Sequence, residues 1–239
     1  MATKSPKANQ TPKKPDYVDP EEKIESALDK TELFFQKNAK QLLTWLTVVV
    51  VLVGGYFAYE YLFARPRAVK VAEMMFVAEQ LFVDEDFNQA LNGDGVNPGF
   101  AEVVERYGNT RQGRLAAQYA GICCIKNGDN DAALSYLEKF KPVKGAPGAI
   151  VNAQNYGLRG DIYVDRGDLA KAQDLYRKAV DAADNILTTP YYMRKLALVY
   201  AALNDVDNAV ELCQRIKIEY PSSIEARDID KLVGEISQR

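Results

Sequence analysis

Residues 156–179 read YGLRGDIYVDRGDLAKAQDLYRKA, and this stretch decides the fold because its pattern occurs twice more in the chain. Residues 117–140 (AQYAGICCIKNGDNDAALSYLEKF) and residues 193–216 (MRKLALVYAALNDVDNAVELCQRI) place small, apolar and turn-forming residues at the same offsets. In each copy, apolar positions recur at helical spacing on both sides of a Gly-Asp or Asn-Asp pair. A repeat of this length is typical of a solenoid built from helical hairpins.

The spacing within each copy has a physical cause. The Gly-Asp or Asn-Asp pair suits a tight turn between two helices, because one residue can be left-handed and the next can cap the second helix. Small residues on facing helices let the two helices approach closely. These predicted packing positions are Gly121, Ala133, Gly160, Ala172, Ala197 and Ala209.

The three copies resemble the tetratricopeptide repeat (TPR) in their coincidence of small, aromatic and turn positions. They start at residues 117, 156 and 193, so the period is 39 and then 37 residues. That period is longer than the usual ~34 residues, and the connections between units are therefore lengthened, most visibly over residues 141–150. The resemblance implies a binding module rather than a catalyst.

Further helices flank the three copies. Residues 78–90 fit a degenerate unit whose second helix is interrupted at residues 92–99 (NGDGVNPG) and resumes over residues 100–107. At the other end, Ser222 or Ser223 can cap a last helix that closes the solenoid. The apolar stripe of that helix comprises Ile229, Leu232, Val233 and Ile236.

One uncharged segment differs from the remainder of the chain. Residues 41–59 read QLLTWLTVVVVLVGGYFAY, and residues 42–63 as a helix span roughly 33 Å, which matches a bilayer core. Basic residues stop the segment on both sides, and aromatic residues lie near both boundaries. The segment begins too far into the chain for a cleavable signal peptide. We therefore predict a transmembrane helix, with a buried core helix as the alternative.

The segments on either side of the span complete the predicted organisation. Residues 1–18 carry four lysines and three prolines, which predicts a disordered cytosolic tail that is either solvated or in weak contact with anionic lipid or ribosomal RNA. Residues 19–41 predict an amphipathic cytosolic helix, capped by Asp19 and Pro20, that either binds a partner or membrane surface or simply extends the span. A small excess of basic residues before the span places the N-terminus in the cytoplasm and residues 64–239 in the periplasm.

Composition excludes several classes of function. The 239 residues contain no histidine and three cysteines, so hydrolytic triads and most zinc chemistry are excluded. The 30 basic and 33 acidic residues lack the excess positive charge that nucleic-acid binding requires. The acidic residues near the interruption do not follow a calcium-loop pattern. Cys124 and Cys213 fall on core positions of the repeat. We predict no enzyme activity, no cofactor, no metal and no small-molecule substrate.

The resemblance to TPR domains also implies a binding groove, formed by the first helix of each unit. The residues at the family's groove positions are Leu115, Gln118, Ile122, Ile125, Gln154, Asp161, Val164, Tyr191, Arg194 and Leu198. This set is mixed and largely apolar, which favours an extended peptide or a partner helix as ligand. The sequence leaves open the alternative that several of these side chains merely support packing between units.

The whole layout is similar to the YfgM-type ancillary subunits of the bacterial Sec translocon, with Bacteroidota-like sequence over residues 87–95. That resemblance implies an all-α protein: one N-terminal transmembrane helix, then a TPR α-solenoid of about four hairpins with a C-terminal capping helix. It also implies a single-pass protein of the bacterial inner membrane. Its implied partners are the SecYEG translocon and a PpiD-type periplasmic chaperone that assists exported proteins. The alternatives are a scaffold for envelope assembly or cell division and a regulator of reversed topology.

Overall fold

The computed structural model of the chain describes residues 20–238, with the side chains of residues 20–35, 146 and 147 outside the description. The described range contains helices and connections but no strand, and the predicted all-α class is confirmed. The chain divides into two compact units, Met1–Phe63 and Ala64–Arg239. The predicted tail over residues 1–18 and the predicted cap at Asp19 lie outside the described residues.

The first unit is dominated by one long helix, α1 (Pro20–Tyr59), which a π-helical turn (Glu60–Ala64) follows. The helix has no break at residues 41 and 42, so the predicted amphipathic helix and span form a single element. This continuity favours the alternative in which residues 19–41 extend the span. Within the described residues, Gln36–Val83 is long and apolar enough to cross a membrane, and none of its most apolar window is buried.

The second unit contains the repeats. Its helices are α2 (Arg65–Val83), α3 (Phe87–Asn92), α4 (Phe100–Tyr107), α5 (Arg111–Lys126), α6 (Asn130–Leu137), α7 (Ala146–Asp165), α8 (Leu169–Asp181), α9 (Thr189–Ala202), α10 (Val206–Glu219) and α11 (Ile229–Ile236), with a 3-10 turn (Glu225–Asp228) before the last. Successive helices pack on one another along the chain. The pairs α5–α6, α7–α8 and α9–α10 are the three hairpins that the repeat predicts.

The turns within the hairpins share one geometry. The left-handed residue is Gly128 (φ 82°), Gly167 (φ 74°) or Asn204 (φ 62°), and Glu85 (φ 62°) takes the same place between α2 and α3. The next residue is always an aspartate whose carboxylate accepts a hydrogen bond from a backbone N–H of the following helix. The pairs are Asp86 with Gln89, Asp129 with Ala132, Asp168 with Lys171 and Asp205 with Asn208. These bonds satisfy N–H groups that a helix N-terminus otherwise leaves unpaired.

The small residues lie where the paired helices come closest. All six packing positions named above are buried. A Cβ atom on Gly121 would lie 2.6 Å from the Leu137 side chain, and one on Gly160 would lie 2.7 Å from the Tyr176 ring. Both neighbours belong to the second helix of the same hairpin. The glycines therefore permit a helix separation that a larger residue would prevent.

The interruption of the first hairpin is an ordered loop at residues 93–99. The Oδ1 atom of Asp94 accepts hydrogen bonds from the backbone N–H groups of Val96 (2.8 Å) and Asn97 (2.6 Å), and its Oδ2 atom accepts one from the Asn97 amide (2.8 Å). These hydrogen bonds lower the pKa of Asp94 to about 2. Asp94 therefore serves the loop as a charged backbone cap.

The last helix covers the end of the apolar core. Ile229, Leu232 and Ile236 are buried and join the cluster that contains α9 and α10. Ser223 accepts a hydrogen bond from the backbone N–H of Ala226 (3.2 Å), so it begins the 3-10 turn that leads into α11. The predicted last helix is therefore present, but the 3-10 turn Glu225–Asp228 lies between Ser223 and the start of α11 at Ile229.

Candidate interaction groove

A cavity of about 370 Å³ lies between α7, α8 and α9. Apolar side chains predominate among the residues that line it. The apolar lining residues are Val164, Leu169, Leu198, Val199 and Ala202, and the polar lining residues are Asp161, Asp165, Tyr176 and Lys195. Asp161, Val164 and Leu198 are three of the predicted groove residues, so the structure brings together positions from two consecutive units.

An ion pair forms the polar wall of this cavity. The Nζ atom of Lys195 on α9 lies 2.6 Å from Oδ1 of Asp161 on α7. The Tyr176 hydroxyl on α8 donates a hydrogen bond to the same carboxylate oxygen at 2.5 Å. The Asp161 carboxylate is thus compensated by one cation and one neutral donor, which leaves Asp165 as the remaining charge of the lining.

The surroundings keep this arrangement in one protonation state. Burial and the hydrogen bond to Asp161 raise the pKa of Tyr176, so its hydroxyl stays protonated and remains a donor. Burial disfavours the charged form of Lys195, but its hydrogen bonds with Asp161 and Tyr191 outweigh that effect and raise its pKa. Lys195 therefore stays charged at neutral pH. The cluster of Lys195, Asp161 and Tyr176 is suited to a structural role rather than to proton transfer.

Aromatic side chains continue the apolar surface beside the cavity. Lys195 Nζ lies 4.9 Å from the centroid of the Tyr191 ring, and the Tyr191 ring packs edge-on against Tyr192 at 4.9 Å. Tyr191 and Leu198 both remain exposed. Two of the three predicted positions of the third repeat, Tyr191 and Leu198, therefore present an accessible aromatic and aliphatic surface.

The predicted groove residues of α5 occupy a different environment. Leu115 lines a second cavity, of about 280 Å³, with Phe140, Val143 and Val151. Ile122 and Ile125 are half-buried, and Ile125 packs against the core cluster of the same repeat. These side chains contribute to packing between units as well as to the surface.

The prediction for Gln118 needs correction. Its side chain is only 2% exposed, so it cannot form part of an open groove. Its Oε1 atom accepts a hydrogen bond from Nδ2 of Asn155 (2.7 Å), and Nε2 of Gln118 donates to Oε1 of Gln154 (3.4 Å). Asn155 also donates to the Leu137 carbonyl (3.0 Å). Gln118 and Asn155 therefore join α5 to α7, since buried amides need such partners.

Arg194 also has a structural partner. Its guanidinium group donates two hydrogen bonds to the Asp228 carboxylate, at 2.6 Å and 3.0 Å. This contact joins α9 to the 3-10 turn, and it lowers the pKa of Asp228. Arg194 is therefore directed toward the C-terminal cap of the solenoid rather than toward the cavity.

Lys195 and Tyr176 are the functional candidates that the sequence prediction missed. Lys195 precedes Ala197 by two residues, and the equivalent positions in the earlier units are Tyr119 and Leu158. Tyr119 stacks on Phe100 of the preceding unit at 4.9 Å, so this position packs between units. A lysine at an otherwise apolar packing position, with Asp161 in the unit before it, is the signal that could have identified the ion pair.

The three cysteines lie in the core. All are buried, and burial raises the pKa of Cys123 to about 12 and that of Cys124 to about 11. Burial also raises the pKa of Cys213. Their thiols are therefore neutral packing groups at physiological pH.

A comparison with protein families identifies the repeat. The family model for the tetratricopeptide repeat matches residues 158–224, which cover the end of α7 through α10. None of the curated proteins compared matches the sequence. Residues 158–224 therefore contain tetratricopeptide repeats, which typically bind other proteins and are typically not catalytic. Among the described residues, no group of three or more acidic or cysteine side chains is placed to hold a metal ion.

Proposed function

We propose that the protein is a membrane-anchored TPR adaptor that associates with the SecYEG translocon and a PpiD-type periplasmic chaperone and assists exported proteins. In this proposal residues 42–63 cross the bacterial inner membrane, the N-terminus is cytoplasmic and residues 64–239 are periplasmic. The adaptor binds protein rather than nucleic acid or a small molecule, and it needs no cofactor.

The observation that carries the proposal is the cavity between α7, α8 and α9. Its lining is mostly apolar, the Lys195–Asp161 ion pair is internally compensated, and the exposed Asp165 adds one negative charge. Such a site favours an apolar stretch of peptide or the apolar face of a helix over a C-terminal carboxylate, because a carboxylate would be desolvated there near Asp165 without a free cation.

The proposal is tested by photo-crosslinking in native membranes. A photoreactive amino acid replaces Leu198 in the cavity of the full-length protein, and crosslinked proteins are identified by mass spectrometry after solubilisation in mild detergent. We expect translocon or PpiD-type chaperone subunits among the products. Division or outer-membrane assembly proteins in their place would overturn the translocon assignment and support the scaffold alternative.

A matched pair of variants tests whether the cavity itself binds. Leu198→Asp places a charge in the cavity, whereas Val96→Asp places the same charge in the exposed loop of the first hairpin. Both positions are exposed, so both variants should fold. We expect Leu198→Asp to reduce translocon and chaperone co-purification at least tenfold and Val96→Asp to leave it unchanged. Equal recovery from the two variants would remove the cavity from the proposal.

A further inference from the structure

The connections of the repeat domain fall on two opposite edges. The distal edge is formed by the turns within the hairpins, residues 84–86, 127–129, 166–168 and 203–205. The proximal edge is formed by the start of α2 and by the connections between hairpins. Its segments are residues 65–67, 108–110, 138–145, 182–188 and 220–228.

Side-chain contacts join parts of the proximal edge at two points. The Arg67 guanidinium lies over the Tyr107 ring, 5.7 Å from its centroid, so the start of α2 meets the end of α4. The Tyr220 hydroxyl donates a hydrogen bond to Asp184 at 2.5 Å, which joins the connection before α9 to the one after α10. The chain enters the repeat domain at this edge, because Arg65 follows the proposed span directly.

The two edges differ in charge. The distal turns contain six acidic residues and one basic residue, Arg166, whereas the proximal segments contain six basic and four acidic residues. The six basic residues are all exposed and are Arg65, Arg67, Lys139, Lys141, Lys144 and Arg227. Two of the four proximal acids, Glu138 and Asp228, pair with Arg159 and Arg194 from the helices. The proximal edge is therefore the positively charged edge of the domain.

Large apolar side chains lie exposed on the same edge. Ile186 and Leu187 stand in the connection before α9, and Leu187 is 69% exposed. Ile224 stands in the connection after α10 and is also exposed. The Tyr220–Asp184 hydrogen bond holds these two connections side by side. Basic residues beside exposed aliphatic residues are the composition that binds an anionic membrane surface.

We propose that the proximal edge of the TPR domain binds the anionic surface of a lipid bilayer. Lys139, Lys141 and Lys144 contact the headgroups, and Leu187 and Ile224 enter the interface between headgroups and acyl chains. The proposal rests on the membrane anchor of the proposed function but requires neither translocon nor chaperone. Its consequence is a TPR domain held against the membrane, with the acidic distal turns facing away.

Fluorescence quenching by spin-labelled lipid tests this proposal. The full-length protein carries Leu187→Cys, labelled with an environment-sensitive dye, and is reconstituted in nanodiscs of phosphatidylcholine and phosphatidylglycerol. The three native cysteines are buried and have raised pKa values, so the dye attaches at residue 187. We expect a blue-shifted emission and quenching by nitroxide lipids, both reduced when phosphatidylglycerol is omitted.

Leu203→Cys is the matched control, because Leu203 is a leucine on the distal edge that is 40% exposed. We expect no quenching at residue 203. The charge reversals Lys139→Glu, Lys141→Glu and Lys144→Glu should together abolish quenching at residue 187, with a loss of roughly fivefold per removed charge. Absence of quenching at residue 187, or equal quenching at both positions, overturns the proposal. If the protein does not enter nanodiscs at all, the membrane anchor of the proposed function is overturned as well. Failure of the anchor is therefore distinguishable from failure of the proximal edge to bind lipid.

Discussion

The first hairpin (α2 to α4) and the hairpin formed by α7 and α8 follow the same local rules but reach different shapes. Glu85 and Asp86 form the turn of one, and Gly167 and Asp168 form the turn of the other, with the same left-handed conformation and the same cap. The helix after the turn buries an alanine in both cases. Only the first hairpin has its second helix interrupted. The comparison shows that the turn and the close helix contact specify the repeat, whereas an unbroken second helix is dispensable.

Aromatic packing stabilises the interrupted hairpin where continuous helix is missing. Phe100 begins α4 and is fully buried. Its ring stacks on Tyr119 of the next unit, with centroids 4.9 Å apart, and lies edge-on to Phe82 on α2. The continuous hairpin also makes an aromatic contact with the next unit, Tyr176 on Tyr192 at 6.5 Å, but its unbroken second helix buries Ala172, Leu175 and Ala179 as well. The interrupted hairpin should therefore depend strongly on this one residue.

Phe100→Ala should have the largest effect. We expect the free energy of unfolding to fall by about 3–5 kcal/mol, because the substitution leaves a cavity in a buried aromatic cluster. Urea unfolding of the full-length protein in mild detergent, followed by circular dichroism, measures the change. Phe76→Ala is the control, since Phe76 on α2 is 61% exposed. Similar losses for the two variants would contradict the role given to Phe100.

Close helix contact in the continuous hairpin is tested by Gly160→Ala. The added Cβ would lie 2.7 Å from the Tyr176 ring, and the hydroxyl of that ring is held by Asp161. We expect a loss of about 1–3 kcal/mol from overpacking. Gly234→Ala on α11 is the matched control, because no atom lies within 4 Å of its added Cβ. That variant should gain about 0.5–1 kcal/mol from helix propensity, and a loss there instead would refute the steric explanation.

The caps should contribute equally in interrupted and continuous hairpins. Asp86→Ala and Asp205→Ala each remove an acceptor from a helix N-terminus, and each should lower the free energy of unfolding by about 1 kcal/mol. Hydrogen exchange should show the loss of protection within the affected hairpin first, since repeats interact mainly with their neighbours. Asp86→Asn and Asp205→Asn keep an acceptor and should leave the free energy of unfolding nearly unchanged, because asparagine and aspartate are about equally good caps. A markedly smaller effect at Asp86 would mean that the interrupted hairpin does not use its cap.

The sequence predicted the features that depend on residues close together in the chain. The turns at Gly128, Gly167 and Asn204, their capping aspartates and the close approach at Gly121 follow from residue types within one hairpin. The loop at residues 93–99 was also predicted, because its glycines and proline break a helix on their own. The continuity of α1 across residue 41 matches one of the two alternatives that the sequence left open, since the boundary between water and membrane need not coincide with the end of a helix.

The candidate groove was predicted less well, because its residues depend on contacts between units. The offset of one unit against the next determines that Gln118 meets Asn155 in the interior and that Arg194 reaches Asp228. No single repeat encodes that offset. The same contacts explain why Lys195, at a packing position, pairs with Asp161 of the preceding unit. The repeat pattern therefore predicted which residues form turns and close helix contacts in each unit. It did not predict which side chains of the first helices are exposed.

The smallest expected effect concerns the left-handed turn residue of the interrupted hairpin. Glu85 adopts φ 62° where Gly167 adopts φ 74°. A non-glycine residue in this conformation costs roughly 1–2 kcal/mol, while glycine loses roughly 0.5–1 kcal/mol more chain entropy on folding. Glu85→Gly should therefore raise the free energy of unfolding by roughly 0.75 kcal/mol, the difference between the midpoints of these two ranges, measured by the same urea titration. Asn204→Gly should gain less, because asparagine tolerates this conformation better than glutamate does. If Asn204→Gly gained as much stability as Glu85→Gly or more, contacts specific to the interrupted hairpin would have to relieve the backbone strain at Glu85. The two turns would then differ in energy despite their shared geometry.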